Sequence, residues 1–242
     1  MRKADKNKLW IIMSISLLFF LAGCVDTGVQ VIPSSINYTS QVKIVNLAAG
    51  MGSASIAMKT KSGSTVTFGA IAFGDVSPVT VVPAGPATLS VTYSSGGTEN
   101  LTTLTDTDYN LFLYIVGDAS GRIVVKSLNR MVFQAADTSI YKKGVAQIAF
   151  FNGSPDGTIN SIEAVQGSDT SAIDLSAPIA SGTGSASFLE MQPGSYTFIL
   201  TATSGDTETK TAMTVNLAEK NKYTAIVYDK VSSLKSKILT DD

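Results

Sequence analysis

From Gln41 onward, apolar and polar residues alternate in short runs, and Gly, Pro, Asn, Asp and Ser stand between the runs. Val, Ile, Thr, Tyr and Phe fill the apolar positions, as in residues 42–47, 53–58, 79–82, 87–93, 110–116 and 122–128. A period of two sends neighbouring side chains to opposite faces of an extended strand. These residue types suit a half-buried pleated surface. No window of helical length carries an apolar stripe at 3.6-residue spacing. A sheet with one apolar face needs a second layer to cover it, so the pattern predicts an all-β fold of sheets stacked face to face. The breaks agree. Pro193-Gly194 suits a tight turn, and Ser95-Gly96-Gly97 and Ser204-Gly205-Asp206 read as hairpin turns.

The pattern runs through twice. Ile44-Val45-Asn46-Leu47 is answered 106 positions later by Phe150-Phe151-Asn152-Gly153. Pro83-Ala84-Gly85 is answered by Gln192-Pro193-Gly194, with the glycines 109 apart, and Tyr109 by Tyr223, 114 apart. Preserved order with drifting offsets is the mark of a diverged duplication with loop insertions, and the extra residues are expected in loops such as 166–184. Each repeat holds about seven strand candidates over 90–100 residues, the size of an immunoglobulin-like or transthyretin-like antiparallel β-sandwich. The expected organisation is a leader over 1–23, a tether over 24–40, a first sandwich over 41–130, a connector over 131–143 and a second sandwich over 144–242.

The leader carries an address. Arg2, Lys3, Lys6 and Lys8 precede the apolar run 9–21, which is shorter than the ~20 residues that cross a bilayer. The run ends in Leu21-Ala22-Gly23-Cys24, and Cys24 is the only cysteine of the chain. This arrangement resembles a bacterial lipoprotein signal. It implies cleavage before Cys24 and attachment of lipid to its sulfur and new amino terminus, palmitate among the acyl chains. Each buried methylene adds ~0.8 kcal/mol, so two or three chains hold a protein on a bilayer where one does not. Val25, and not an aspartate, follows the cysteine. That points to the outer membrane if the host is Gram-negative, and leaves open whether the body faces periplasm or medium.

Composition removes several function classes. The 18 basic and 19 acidic residues lose four and one with the leader, which leaves a net charge of about −4. That argues against nucleic acid, whose binding needs a basic patch. There is no histidine, so the commonest general base and the commonest metal ligand are missing together. No Gly-x-Ser-x-Gly elbow occurs. Ser-x-x-Lys recurs at Ser40, Ser139 and Ser232 without the companion motifs of a Ser-Lys enzyme. No catalytic residue, metal site or cofactor is assigned. The turn carboxylates Asp106, Asp108 and Asp156 match no calcium loop and read first as Asx-turns. With Tyr109, Phe151 and Tyr223 they form the candidate ligand or partner surface. The alternative for the tyrosines is a ring packed inward with its hydroxyl tying a loop. Phe150 and Phe151 are expected on opposite faces of their strand.

Three segments carry a family resemblance: Phe73-Gly74-Asp75-Val76-Ser77, Val82-Pro83-Ala84-Gly85, and the apolar strand opened by Tyr109. The second repeat adds Asn152-Gly153-Ser154-Pro155-Asp156 and Gln192-Pro193-Gly194-Ser195-Tyr196-Thr197. Together they resemble the domain-of-unknown-function 4397 family of bacterial exported domains. The first repeat has Ala48-Ala49-Gly50 in place of that family's Ser-Pro-Asp, and the second shows no Gly-Asp-Val-Ser segment. The resemblance implies a duplicated exported β protein and no assigned chemistry. The functional expectation is a membrane-anchored, non-catalytic lipoprotein acting as an interaction, adhesion or scaffold module with a protein or glycan partner. The alternative is a glycan- or peptide-binding lipoprotein, and an enzyme comes third.

Overall fold

A computed structural model describes residues 38–105, 109–131, 144–185 and 187–240, and shows no α-helix among them. Eight strands form the first half: β1 Thr39–Ala48, β2 Ala54–Thr60, β3 Thr65–Ile71, β4 Thr80–Pro83, β5 Gly85–Tyr93, β6 Thr98–Thr105, β7 Tyr109–Asp118 and β8 Gly121–Met131. The second half has β9 Ala146–Gly153, β10 Thr158–Gln166, β11 Asp169–Ile173, β12 Thr183–Gly184, β13 Leu189–Met191, β14 Gly194–Ser204, β15 Thr207–Leu217, β16 Lys222–Tyr228 and β17 Lys235–Thr240. The predicted leader, Cys24 and most of the tether and connector lie outside the described residues.

The two halves repeat one strand layout. In the first, the sheets run β4-β1-β7-β8 and β3-β2-β5-β6; in the second, β12-β9-β16-β17 (with β13 also on β9) and β11-β10-β14-β15. Most pairings are antiparallel, as expected. One pair in each half is not: β1 runs parallel to β7, and β9 parallel to β16. Parallel neighbours need a long crossover, and here the whole second sheet of each half supplies it.

Four layers result, with three apolar cores. Val42, Ile44, Leu111, Leu113 and Ile115 meet Ile56, Met58, Leu89 and Val91 inside the first half. Ile148, Phe150 and Val227 meet Ile162, Phe198 and Leu200 inside the second. The third core joins the halves. Val45, Leu47, Phe112, Tyr114 and Val116 of the first half pack with Phe151, Ile226 and Leu239 of the second. All the described residues belong to a single compact unit. Strand β7 is therefore covered on both sides, which explains its six consecutive apolar residues from Leu111 to Val116. Each such side chain withdrawn from water adds ~1.5–3 kcal/mol of transfer free energy. Phe150 and Phe151 do face opposite ways, but Phe151 meets the other half and not solvent. Close approach at this seam needs a glycine. A Cβ on Gly153 would lie 2.6 Å from Leu47 Cδ1 and 3.2 Å from the Val227 carbonyl oxygen.

A buried asparagine organises each half in the same way. Asn46 Nδ2 donates to the carbonyls of Gly52 (2.9 Å) and Ile71 (3.0 Å), while its Oδ1 accepts from the Ala48 amide. Asn152 Nδ2 donates to the carbonyls of Gly157 (2.8 Å) and Ile179 (2.9 Å), and its Oδ1 accepts from the Ser154 amide. Both side chains are fully buried. Strand edges and turns leave backbone groups without sheet partners, and buried groups of that kind must be paired. One amide side chain pairs three of them at once.

Candidate functional site

The halves differ most along one edge. In the first half, the Gly74 amide donates to the Asn46 carbonyl at 2.7 Å. Ser77 takes the Ile44 amide on its Oγ at 2.9 Å and returns its own amide to the Ile44 carbonyl at 2.8 Å. In the second half, the Gly182 amide donates to the Asn152 carbonyl at 2.8 Å. Ser185 then takes the Phe150 amide on its Oγ at 3.1 Å and donates its amide to the Phe150 carbonyl at 2.7 Å. Gly182-Thr183-Gly184-Ser185 is thus the structural counterpart of Gly74-Asp75-Val76-Ser77, although it shares only the glycine and the serine and is no Gly-Asp-Val-Ser segment in sequence. For these edge bonds only the glycine and serine are shared, because the bonds use the glycine amide and the serine amide and hydroxyl. Gly74 (φ +81°) and Gly182 (φ +70°) both sit in the left-handed region that favours glycine.

Between these anchors the second half carries extra chain. Gly52 and Gly157 are 105 positions apart and Ile71 and Ile179 are 108 apart, yet each pair receives the same bonds from its asparagine. The three added residues break the edge strand. β3 runs unbroken to Ile71, whereas β11 stops at Ile173, residues 174–178 bulge outward, and Ile179 rejoins by a bridge to Ile159. The bulge walls a cleft of about 260 Å³ with Ser185 and Leu189 on its far side. A neighbouring cleft of about 330 Å³ opens between β11 and β13, with Ala164, Ile173, Met191 and Tyr196 on its wall. Asp169, Asp174 and Glu190 also line it, and no lysine or arginine does. Sequence reasoning placed the insertion in the right region but assigned no site residue to it. The jump in offset was the available signal.

The predicted site residues scatter. Asp106 and Asp108 lie outside the described residues, and Tyr109 opens β7. Phe151 is 4% exposed and stacks on Tyr114 across the seam, with ring centroids 4.1 Å apart. Tyr223 is also 4% exposed, and its hydroxyl accepts from the Ala218 amide at 2.9 Å. Neither ring is presented to an outside partner, because the continuous apolar strands that carry them are covered on both faces. Asp156 accepts from the Val231 amide at 3.0 Å and from the Ser154 hydroxyl at 3.1 Å. It pins its own turn to the short 3-10 segment Val231–Ser233. Among the described residues no group of three or more His, Cys, Asp or Glu side chains is placed to hold a metal ion.

Two ion pairs among the described residues, Arg122 with Glu99 and Lys237 with Asp75, fasten layers. Arg122 on β8 binds Glu99 on β6 and so ties the two sheets of the first half. Arg122 also stands over the Tyr93 ring at 5.0 Å and donates to the Asp118 carbonyl at 2.8 Å. Burial opposes ionisation of Glu99, but hydrogen bonds from Arg122 and Tyr93 outweigh it and hold the carboxyl below its usual range. Burial, then the hydrogen bond to Glu99, push the Tyr93 hydroxyl well above the usual tyrosine range. The Ser120 hydroxyl and amide both donate to Asp118, which lowers its pKa. At the seam Lys237 donates to the Gly74 carbonyl (3.0 Å) and pairs with Asp75 (2.7 Å), and Phe73 meets Tyr228 edge to face at 5.4 Å. The Phe73-Gly74-Asp75 segment that carried the family resemblance therefore docks one half on the other.

No family model matches the chain, and no curated protein does. Solved structures give distant likenesses. The Bacillus anthracis TIE protein aligns over 82% of this chain and 34% of its own, at 10% identity and a TM-score of 0.27, so this chain spans about a third of its length. A candidate cell adhesion protein of Bacteroides uniformis aligns over 87% of this chain and 99% of its own, at 11% identity and a TM-score of 0.27. A candidate cell adhesion protein of Bacteroides ovatus aligns over 84% and 96%, at 10% identity and a TM-score of 0.29.

Proposed function

We propose that this chain is a lipid-anchored, non-catalytic lipoprotein of the bacterial envelope that serves as an interaction, adhesion or scaffold module. The observation that carries the reading is the run Leu21-Ala22-Gly23-Cys24 behind a basic and then an apolar segment, with no second cysteine in the chain. The use of Asp156, Phe151 and Tyr223 as internal fasteners supports a module whose polar and aromatic residues serve assembly. The resemblance to the domain-of-unknown-function 4397 family fits the same reading. Cys24→Ser tests the anchor: the variant is expected in the soluble fraction and unlabelled by an alkyne fatty acid, while the parent is labelled and sediments with membranes. A labelled or sedimenting Cys24→Ser protein refutes it.

A second reading, capture of a peptide ligand, is favoured by the acid-lined clefts at the broken edge of the second half. Asp174→Lys with Glu190→Lys is expected to abolish retention of basic peptides on the immobilised protein. Unchanged retention refutes this reading and leaves the first intact.

A further inference from the structure

The seam between the halves is sealed over most of its length, but one stretch of it is hollow. On β9 and β16 the seam-facing residues stand side by side in register, Ala149 beside Thr224 and Phe151 beside Ile226. Tyr114 reaches from β7 and stacks on Phe151. Between this floor and the chain at Ser185 and Phe188 lies a cavity of about 140 Å³, and Thr224 lies on its wall. Lys222 holds its ammonium 4.9 Å from the centre of the Phe188 ring at the same margin.

Thr224 is the informative residue. It is 4% exposed, and its Oγ1 has no hydrogen-bond partner among the described residues. A buried hydroxyl left in that state costs stability, and valine would fill the same shape in a strand without the cost. Buried polar groups are paired as a rule, so an orphan beside a cavity calls for a partner inside that cavity. Water is a poor fit: Tyr114, Phe151, Phe188 and Ala149 make the wall largely apolar, and of the two serines on it Ser185 already spends its hydroxyl on the Phe150 amide and the Ser187 carbonyl, whereas a water needs two to four polar partners. An apolar cavity of about 150 Å³ accepts a benzene ring. Aromatic walls favour a planar ring in stacked or edge-on contact.

We propose that this seam cavity is a binding site for one planar aromatic ring bearing a single polar substituent, a phenol-type ring whose oxygen pairs with Thr224 Oγ1. The ring is either free in the medium or the side chain of a tyrosine on a partner, and the chemistry of the site is the same for both. Because both halves wall the cavity, an occupant stabilises their association by mass action. The site is independent of membrane attachment.

The test is calorimetric titration of the full-length protein in detergent, against a micelle blank, with phenol, toluene and N-acetyl-tyrosinamide. Phenol is expected to bind roughly five- to tenfold more tightly than toluene, which has the same shape without the oxygen. Thr224→Val is expected to erase that preference, leave toluene binding unchanged, and raise the melting midpoint of the ligand-free protein. A purely structural threonine would lower the midpoint instead. Thr224→Ser is expected to keep the preference. Ala149→Met fills the cavity and should abolish binding of every probe. Binding of N-acetyl-tyrosinamide marks a partner's tyrosine as the source, and binding of phenol without it marks a free ring. Equal affinity for phenol and toluene, no binding of any probe, or an undiminished phenol preference in Thr224→Val overturns the proposal.

Discussion

In the first half the edge strand runs from Thr65 to Ile71 without a break, and its sheets are clasped on the opposite side by Arg122 and Glu99. In the second half the matching strand breaks after Ile173, bulges over residues 174–178 and resumes at Ile179. Its sheets are joined on the opposite side by neutral hydroxyls, Thr211 Oγ1 donating to Ser236 Oγ at 3.2 Å. The central strands, the parallel pair and the buried asparagine are the same in both. The duplicated parts are those whose loss leaves backbone groups stranded inside the molecule. The divergent parts lie at sheet edges, where three extra residues open clefts without disturbing a core. Loops and edges tolerate insertion because few buried bonds depend on them.

The strongest way to test this comparison is to remove the shared device from each half in turn. Asn46→Ala strands the Gly52 and Ile71 carbonyls and the Ala48 amide, and Asn152→Ala strands the Gly157 and Ile179 carbonyls and the Ser154 amide. A buried group left unpaired costs ~1–3 kcal/mol. Each variant is expected to lose about 5 kcal/mol of unfolding free energy in urea, and the two losses should agree within about 1 kcal/mol. A large loss in one half and a trivial loss in the other would break the claimed equivalence.

The seam offers the next largest effect. Phe151 stacks on Tyr114, and Tyr114 in turn lies 5.9 Å from Phe112. Truncating a buried phenylalanine costs ~3–5 kcal/mol in general. The adjoining cavity leaves the seam some room to relax, so Phe151→Ala is expected near the lower end, about 3 kcal/mol. Its signature is a change in cooperativity. The parent should unfold in one transition and the variant in two, read by far-ultraviolet circular dichroism during a urea titration. A single coincident transition in the variant would mean that contacts elsewhere, such as Lys237 on Asp75, are enough to couple the halves.

Much of this architecture was legible before the structure. Alternation located the strands, and the pairing of Asn46 with Asn152 located the duplication, because a buried amide that holds three backbone groups is hard to replace. The four-layer stack was missed, although six consecutive apolar residues in β7 already implied cover on both faces. That oversight put Phe151 and Tyr223 on a presumed partner surface, when one fills the seam and the other packs within its own half. The Gly-x-x-Ser edge segment was found in one repeat only, because Asp75-Val76 and Thr183-Gly184 share no side-chain chemistry and the edge bonds common to both halves run through the flanking glycine and serine. The clefts were illegible for a different reason. Sequence shows that three residues are extra, but not that they bulge away from the sheet rather than extend a turn.

The smallest predicted effect separates the two clasps. Glu99 ionises more readily in the folded protein than in the unfolded chain. A carboxyl with a depressed folded pKa adds stability that is complete above its unfolded value, about 4.3, and is lost as pH falls through the folded value. Glu99→Gln is therefore expected to cost about 1 kcal/mol at pH 7, the scale of a partly exposed ion pair, and progressively less as pH falls below the unfolded value. Other carboxylates titrate in parent and variant alike and cancel in the difference. Tyr93 gives the opposite sign at the alkaline end. Its raised pKa means that its contribution is complete below the ordinary tyrosine value, about 10, and is lost as pH rises through the folded value. The hydroxyl clasp of the second half has no titrating group, so Ser236→Ala should cost the same at pH 3 as at pH 7. A cost for Glu99→Gln that does not change with pH would remove charge from the first clasp and leave the two halves alike on that side.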